Sequence, residues 1–550
     1  MGKEWWNGKM KVADFFCGAG GFSEGFRQAG FEICFALDKW EPAINTYKAN
    51  KPGCNVLKED IIRVSNLPDK EFHKLIPDTE VIIGSPPCVA FSSSNKSGNG
   101  DKKMGIKLLM AYLRIVARKR FKPNSQLRYW ALENVPNIKK YIKNEYTAKD
   151  LDLPGDFVLH VINESSDIYN AKYFGAPTNR KRFLCGEFPV PQPTNTDETV
   201  IKLRTVLDSL GTPQSNDTTP IVDCCYPGLH MERAMVTDHH YTYLLQSFEW
   251  ETAKRLKEDK GYMGRMAFPE DLDNPSRTVM ATMSSSSRES MILPTVDGNY
   301  RLPTVREAAS MMSFPIDYRF YGASKGTKHT LVGNAVPPKM SYAVAKAIAL
   351  DSGDSIPNNY IPIQHDTQIE FYNLNNVVFE PKIERPKRDI AKFKYHIPYL
   401  IVNAFRVELT NYHSDFDNKK FKWSVEIHYS QGKDKARMFC PIIKSELWDD
   451  KQLEKWDKFI KNTVPNMCNS HDQFQEIYCM TSEQRATNNY IGPFELLNLV
   501  KEFIDDNIDN TSSDKLMYIS KKPPNIPIII GVGYYILNQL LAPMDKKDVK

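Results

Sequence analysis

Cys88 lies in the run Ser-Pro-Pro-Cys-Val-Ala-Phe-Ser, and the triplet Glu133-Asn134-Val135 closes a later apolar run. A thiol can act as a nucleophile once it is a thiolate, and a carboxyl can hold or move a proton. The two together suit covalent catalysis with acid–base assistance. Pro86, Pro87 and the Gly/Ser-rich stretch around the thiol do not resemble a disulfide or zinc half-site. A second group of chemistry-bearing residues opens the chain: the turn Cys17-Gly18-Ala19-Gly20-Gly21, then Asp38, then Asp60. An acid about 20 residues after a glycine turn is placed to grip ribose hydroxyls. The turn lacks Gly-Lys-Ser/Thr, so an adenosine-containing cofactor fits it better than a triphosphate. Asp60 could accept from an adenine amine or cap the helix that starts at Ile61.

These groups need elements to hold them. The pattern predicts strands over 11–16, 32–38, 80–88 and 128–135, and a short strand ending near Asp60. Helical spacing lies between them, over 22–30, 42–51 and 107–121, and two more strands are expected in FVLHVINESSDIYN and RFLCGEF. Such alternation predicts an α/β fold with a mostly parallel, doubly wound sheet. Cys88 and Glu133 then fall at the carboxyl edge of one sheet, where open α/β sheets bind ligands.

Hydrophobic content of 41% and charged content of 25% are ordinary for a soluble globular chain, and 550 residues suggest roughly three domains. The net charge of +5 is mild, so contacts with nucleic acid must come from local clusters. Ten cysteines without a CxxC pair point to reduced thiols in a cytosolic compartment, and Cys224-Cys225 reads as core or loop thiols. The start of the chain lacks a signal-peptide apolar run. Ile526 to Leu541 is shorter than the ~20 residues of a membrane helix and reads as a core element.

With the glycine turn, the Pro-Cys strand end and Glu-Asn-Val in that order, residues 11–350 resemble the cytosine-5 DNA methyltransferase family. Thr178-Asn179-Arg180-Lys181-Arg182 resembles its basic element, VREAASMMSFP (305–315) its ninth motif, and Gly333-Asn334-Ala335-Val336-Pro337-Pro338 its last. Two positions depart from the family: Val89 and Thr178 stand where it has glutamine. The resemblance implies a Rossmann-like methyltransferase sheet and a thiolate of Cys88 that adds to carbon 6 of a flipped-out cytosine. Glu133 would bond ring nitrogen 3 and the amine, with Asn134 fixing its turn. Arg182 would reach the base carbonyl, and Arg180 a phosphate or the nucleophile loop. S-adenosylmethionine is the implied cofactor, held by Phe16, Gly18, Gly20, Gly21, Asp38, Asp60, Ile61, Pro86, Asn334 and Val336. No metal is implied. The polar segment 92–105, with Lys96, Lys102 and Lys103, is a candidate loop to close over DNA.

The resemblance assigns the catalytic domain to 10–190 and 301–351 and a target-recognition region to 191–300, an inserted segment in which Arg233, His239, His240, Tyr241, Tyr243, Arg265 and the run Ser284 to Arg288 are candidate DNA contacts. A linker is expected over 352–393. Residues 394–550 are expected to form a C-terminal α+β accessory module, with YIGPFELLNLVKEFIDDNI as an amphipathic helix. The implied partner is double-stranded DNA bound by a monomer away from any membrane, with a restriction endonuclease encoded separately, in a bacterial cytoplasm at the nucleoid. A tRNA methyltransferase, a catalytically dead binding protein and a methyltransferase–nuclease using Asp415, Asp417 and Glu426 stay open as alternatives.

Overall fold

The structure is a computed structural model that describes residues 9–87, 91, 101–213, 217–240, 243–258, 265–430, 437–443, 448–508, 516–518 and 525–545. It divides into two compact units, one of residues up to 245 and 268–381, the other of 246–267 and 382 onward.

The first unit is built on a seven-stranded sheet. Its strands are β1 (Lys11–Phe15), β2 (Glu32–Asp38), β3 (Asn55–Lys58), β4 (Val81–Gly84), β5 (Tyr129–Asn134), β6 (Asp167–Asn170) and β7 (Lys181–Glu187), in the order β3-β2-β1-β4-β5-β7-β6. The first five run parallel, and β7 is antiparallel to both its neighbours. The expected strand over 157–170 is divided: Val158–His160 pairs with Glu145–Thr147, and only β6 joins the main sheet.

The sequence dictates this layering through strands buried on both faces, as central parallel strands must be. Ala13, Phe15, Ile82 and Trp130 face one way and pack with Leu109, Tyr112 and Val116 of the helix Lys102–Arg120. Val12, Val81, Ile83 and Ala131 face the other way. They meet Phe22 and Phe26 of α1 (Gly21–Gln28) and Val344 and Ile348 of the helix Pro338–Ser352. Chain order reverses between β1 and β4, and their carboxyl ends lie side by side, Phe15 against Gly84. An open α/β sheet has its ligand crevice at such a switch point.

Residues 352–381, read from the sequence as the start of a linker, pack on this unit. Arg27 donates to the carbonyls of Ile361 and Pro362, Asp366 N–H donates to Ala49 O, and Leu374 joins the apolar cluster around Phe314.

The second unit carries an antiparallel meander of β8 (Lys394–Val402), β9 (Phe405–Thr410), β10 (Ser424–Tyr429) and β11 (Arg437–Phe439). Helices cover its apolar face, among them the expected amphipathic helix, here Pro493–Asn507. Ser247–Glu258 belongs to this unit as well, with the Arg255 guanidinium 3.6 Å above the Phe494 ring. The helix Ile528–Asp545 has the length and composition to cross a membrane, yet 67% of it is buried, with Ile530 and Leu537 in the core. Asp415 and Asp417 are exposed on the hairpin after β9, where Asp415 accepts from Asn418, whereas Glu426 is buried on β10.

Gly84 tests the packing under the switch point. A Cβ there would lie 2.2 Å from the ring of Tyr112, which is fully buried and donates to Ala131 O. Overpacking of this kind costs about 1–3 kcal/mol. Gly84→Ala is therefore expected to lower the Tm in a thermal melt, and an unchanged Tm would contradict this packing.

Candidate active site

β1 runs into a turn that only unusual backbone can make: Phe16 has φ 56°, Gly18 φ 51° and Gly20 φ 83°. A non-glycine residue in the left-handed region is strained, so other bonds must hold Phe16 there. Asp38, at the end of β2, supplies one of the restraints. Its carboxylate accepts from Gly18 N–H at 3.0 Å and is itself held by Trp40 N–H at 2.9 Å. Burial pushes its carboxyl above the ordinary value, against those bonds.

From behind, Lys51 Nζ donates to Gly20 O at 3.3 Å and to Tyr318 Oη at 3.0 Å, and Tyr318 in turn donates to Ala19 O. Glu24, 3.4 Å from Lys51, balances this buried charge. Burial, more than the charges of Asp38 and Asp14 beside it, pushes the Cys17 thiol well up, so this cysteine stays protonated.

In front of the turn lies a cavity of about 250 Å³. Phe16, Gly18, Gly21, Asp38, Asp60, Ile61, Pro86, Glu133, Arg182, Asn334 and Val336 all line it. Gly20 lies behind that wall, against Lys51 and Tyr318. Asp60 caps the helix Ile61–Ser65, its Oδ1 accepting from Ile62 N–H at 2.7 Å, and it also lines the cavity.

At the other end of the cavity, Glu133 is 4% exposed at the end of β5. Arg182 Nε lies 2.8 Å from its Oε1, and the Ser85 hydroxyl donates to its Oε2. Each carboxylate oxygen is thereby oriented and keeps a further lone pair for a ligand. Asn134 ties the strand end to the neighbouring turn: its amide donates to Pro86 O at 2.9 Å, and its Oδ1 accepts from Val135 N–H. Cys88, Val89 and the loop 92–100 with Lys96 lie outside the described residues. Ser85, Pro86 and Pro87 lead to Cys88 along the cavity wall, and Lys102 and Lys103 open the helix that follows.

Arg180 is not part of the cavity lining. It is buried, and its guanidinium donates to Val279 O (3.0 Å), Gly333 O (2.9 Å) and Ala335 O (3.0 Å). These bonds make it a brace for the turn that carries Asn334 and Val336. Thr178, where the family resemblance has glutamine, bonds the carbonyls of Ser276 and Arg277 and belongs to the strand pair that joins 178–179 to 276–277. Ser85, Trp40, Lys51 and Tyr318 were not singled out from sequence. Only Trp40, two residues beyond Asp38, offered a local signal.

Of the candidate DNA contacts, His239 is buried. Its ring bonds Thr304 Oγ1 and Gly211 O, and burial lowers it to about 4, so it is a neutral structural group. Arg233 donates to Leu210 O and pairs with Asp217. Arg265 belongs to the second unit, where it lies over the Tyr399 ring, and Tyr241 lies outside the described residues. Asp223, beside Cys224 and Cys225, accepts from the N–H groups of Cys225, Tyr226 and Ile316, which accounts for it structurally.

Comparison with known proteins gives the same span. The model of the C-5 cytosine-specific DNA methylase family matches residues 10–350. The type II methyltransferase M.MthTI of Methanothermobacter thermautotrophicus is 29% identical over 357 residues, covering 62% of this chain and 98% of that protein. M1.HphI of Haemophilus parahaemolyticus is 28% identical over 361 residues, 62% and 86% of the two. Among solved structures, the Dnmt2 methyltransferase of S. pombe aligns with a TM-score of 0.42 at 17% identity, covering 63% of this chain and all of that one.

Two outcomes follow from this geometry. A Cβ on Gly21 would lie 2.2 Å from Val336 O, so Gly21→Ala must push the 334–336 turn away. A Tm loss corresponding to about 1–3 kcal/mol is expected. Asp14, beneath the turn, is raised by burial from 3.8 to about 7, although Tyr47 donates to it. The folded state thus favours its protonated form. That contribution is complete below pH 3.8 and is lost as pH rises through about 7. Asp14→Asn is expected to gain Tm relative to the parent chain across that window and to level off above it. A pH-independent difference would count against the raised value.

Proposed function

The chain belongs to the C-5 cytosine-specific DNA methylase family, and from that premise we propose that it methylates carbon 5 of a cytosine flipped out of duplex DNA, in one short sequence, through a covalent adduct at Cys88. The observation that carries this reading is the single cavity bordered by the glycine turn, by Asp38 and Asp60, and by the Ser85–Pro87 strand end with Glu133 and Arg182. S-adenosylmethionine, when bound, supplies an electrophilic methyl group. The residues present suit it: a backbone without Cβ atoms at Gly18 and Gly21, two carboxylates at the ends of β2 and β3 for hydroxyl and amine donors, and apolar walls from Phe16, Ile61 and Val336.

The chain's residues divide the work along the cavity. The Cys88 thiolate adds to carbon 6, and the electron pair displaced makes carbon 5 nucleophilic. Glu133 holds a proton at ring nitrogen 3, so charge does not accumulate on the ring. Arg182 orients Glu133 and presents a cation to the base carbonyl. After carbon 5 has gained the methyl group, it loses its proton and the thiolate leaves, restoring the aromatic ring and the free enzyme. Asn134 keeps the Glu133 turn and the Pro86 turn in register throughout. Arg180, on this reading, acts by holding the 333–335 turn.

The same reading makes the chain the modification half of a type II restriction–modification or defence system, with the endonuclease encoded separately. It acts as a monomer on double-stranded DNA, free of membranes, in a bacterial cytoplasm at the nucleoid. The segment between β7 and the helix Val305–Met311 supports DNA over tRNA, because it leaves room for a separate recognition region.

Labelled S-adenosylmethionine incubated with mixed-sequence duplex DNA, followed by sequencing for 5-methylcytosine, tests this. Methylation in one short context is expected. Cys88→Ala is expected to abolish it, and Glu133→Gln to reduce kcat by about 10²–10⁴-fold. Label passing to tRNA but not DNA, or full activity in Cys88→Ala, would overturn the reading. Arg180→Lys, which cannot span three carbonyls, is expected to raise KM for S-adenosylmethionine more than it lowers kcat.

A further inference from the structure

The sheet of the second unit has two unlike faces. Ile397, Val407, Leu409, Val425 and Ile427 point to one side and form the core with the helices. On the other side His396, Glu408 and Glu426 stand in register across three strands, and Arg406 stands opposite His428. This polar face is nonetheless buried at its centre: Glu426 is 1% exposed, Glu408 4% and His428 6%. Burying charges in this way is a poor route to stability, since well-packed apolar residues commonly do as well or better. The arrangement calls for another explanation.

We propose that Glu408, Glu426 and His428 form a divalent-cation site. One ligand atom from each lies within 4.8 Å of the other two, on all three residues at once. Ligands about 2.0–2.4 Å from a common ion can be at most about 4.8 Å apart, so one ion can bridge them without backbone movement.

The hydrogen bonding points the same way. His428 Nε2 lies 2.7 Å from Glu426 Oε2 and 3.1 Å from Glu408 Oε2. A ring nitrogen carries one proton at most, and the shorter contact takes it. Glu408 Oε2 is thus left buried and without a hydrogen bond, aimed into the cluster. Lys394 Nζ stands 3.2 Å away as a charge outside hydrogen-bonding geometry.

The groups that neutralise the carboxylates sit at the rim and are solvent-accessible: the Lys394 side chain is 33% exposed, Arg406 27% and His413 49%. They can swing outward when an ion replaces them. Two carboxylates and an imidazole are a donor set for Mn²⁺-like ions, with open positions for water or an anionic oxygen beside the displaced Lys394 and Arg406.

Mn²⁺ is the probe of choice, because nine described free cysteines would also attract Zn²⁺. Full-length chain stripped with chelator is titrated with Mn²⁺, reading the free ion by electron paramagnetic resonance. One site per chain is expected, with affinity at least about tenfold weaker in Glu426→Gln and in His428→Asn. Mn²⁺ should also raise the Tm of the parent chain, and raise that of the variants less at the same concentration. Retained methyl transfer and circular dichroism identify the variants that still fold, and His428→Asn is the milder of the two. Absent binding, or equal binding in parent and folded variants, would show a buried ion-pair network alone and overturn the site.

Discussion

Two stretches of backbone more than three hundred residues apart in sequence approach closely where one of them carries glycine, and the first unit depends on that contact. Gly21 and Gly25 open their helix against the Pro338–Ser352 helix. A Cβ on Gly21 would lie 2.2 Å from Val336 O, and one on Gly25 2.2 Å from Ser341 Oγ. Ser341 in turn donates to Gly21 O at 3.1 Å. Backbone approach this close requires glycine. Because of it, the last family motif closes the cavity that the first one opens, and the whole intervening chain must loop out and return.

The polar wiring follows from that closure. Strained residues in the glycine turn are held by Asp38 in front and by Lys51 and Tyr318 behind, while Arg180 braces the returning turn through three carbonyls. Glu133 has one fixed partner on each oxygen, Arg182 and Ser85, so its direction within the cavity is set by the fold. Preorganised polar groups of this kind cost no reorganisation at the moment of reaction.

Much of this placement was legible where position follows from local pattern. A glycine turn after a strand, an acid ending the next strand, and a Glu-Asn at a strand terminus each announce their place, because strand ends converge on one sheet edge. Arg180 and Arg182 look equivalent in sequence. Two residues apart, they part company only through tertiary surroundings, one reaching carbonyls and the other a carboxylate. Lys51 and Tyr318 were silent for the same reason: a lysine after a helix and a tyrosine after Phe-Pro mean nothing until the fold brings them together. The helix Ser247–Glu258 carries no local signal of where it will pack. In the structure its partners are Phe494 and the β8 strand, far along the chain. The acids at 415 and 417 were grouped with Glu426 by proximity in sequence, whereas alternation along β9 and β10 selects Glu408 and His428 as its neighbours.

The segment 246–267 means that the chain crosses between its two units three times, at 245/246, 267/268 and 381/382. On the ribosome that helix emerges long before the sheet on which it will rest. The first unit, for its part, cannot close until the Pro338–Ser352 helix has been synthesised. Neither unit is therefore a bead that folds and is finished as it leaves the tunnel. Nor could a gene carrying only residues after 381 specify the complete second unit. The C-terminal module thus shares its chain order with the first unit, taking one helix from a stretch of sequence that lies between two parts of that unit.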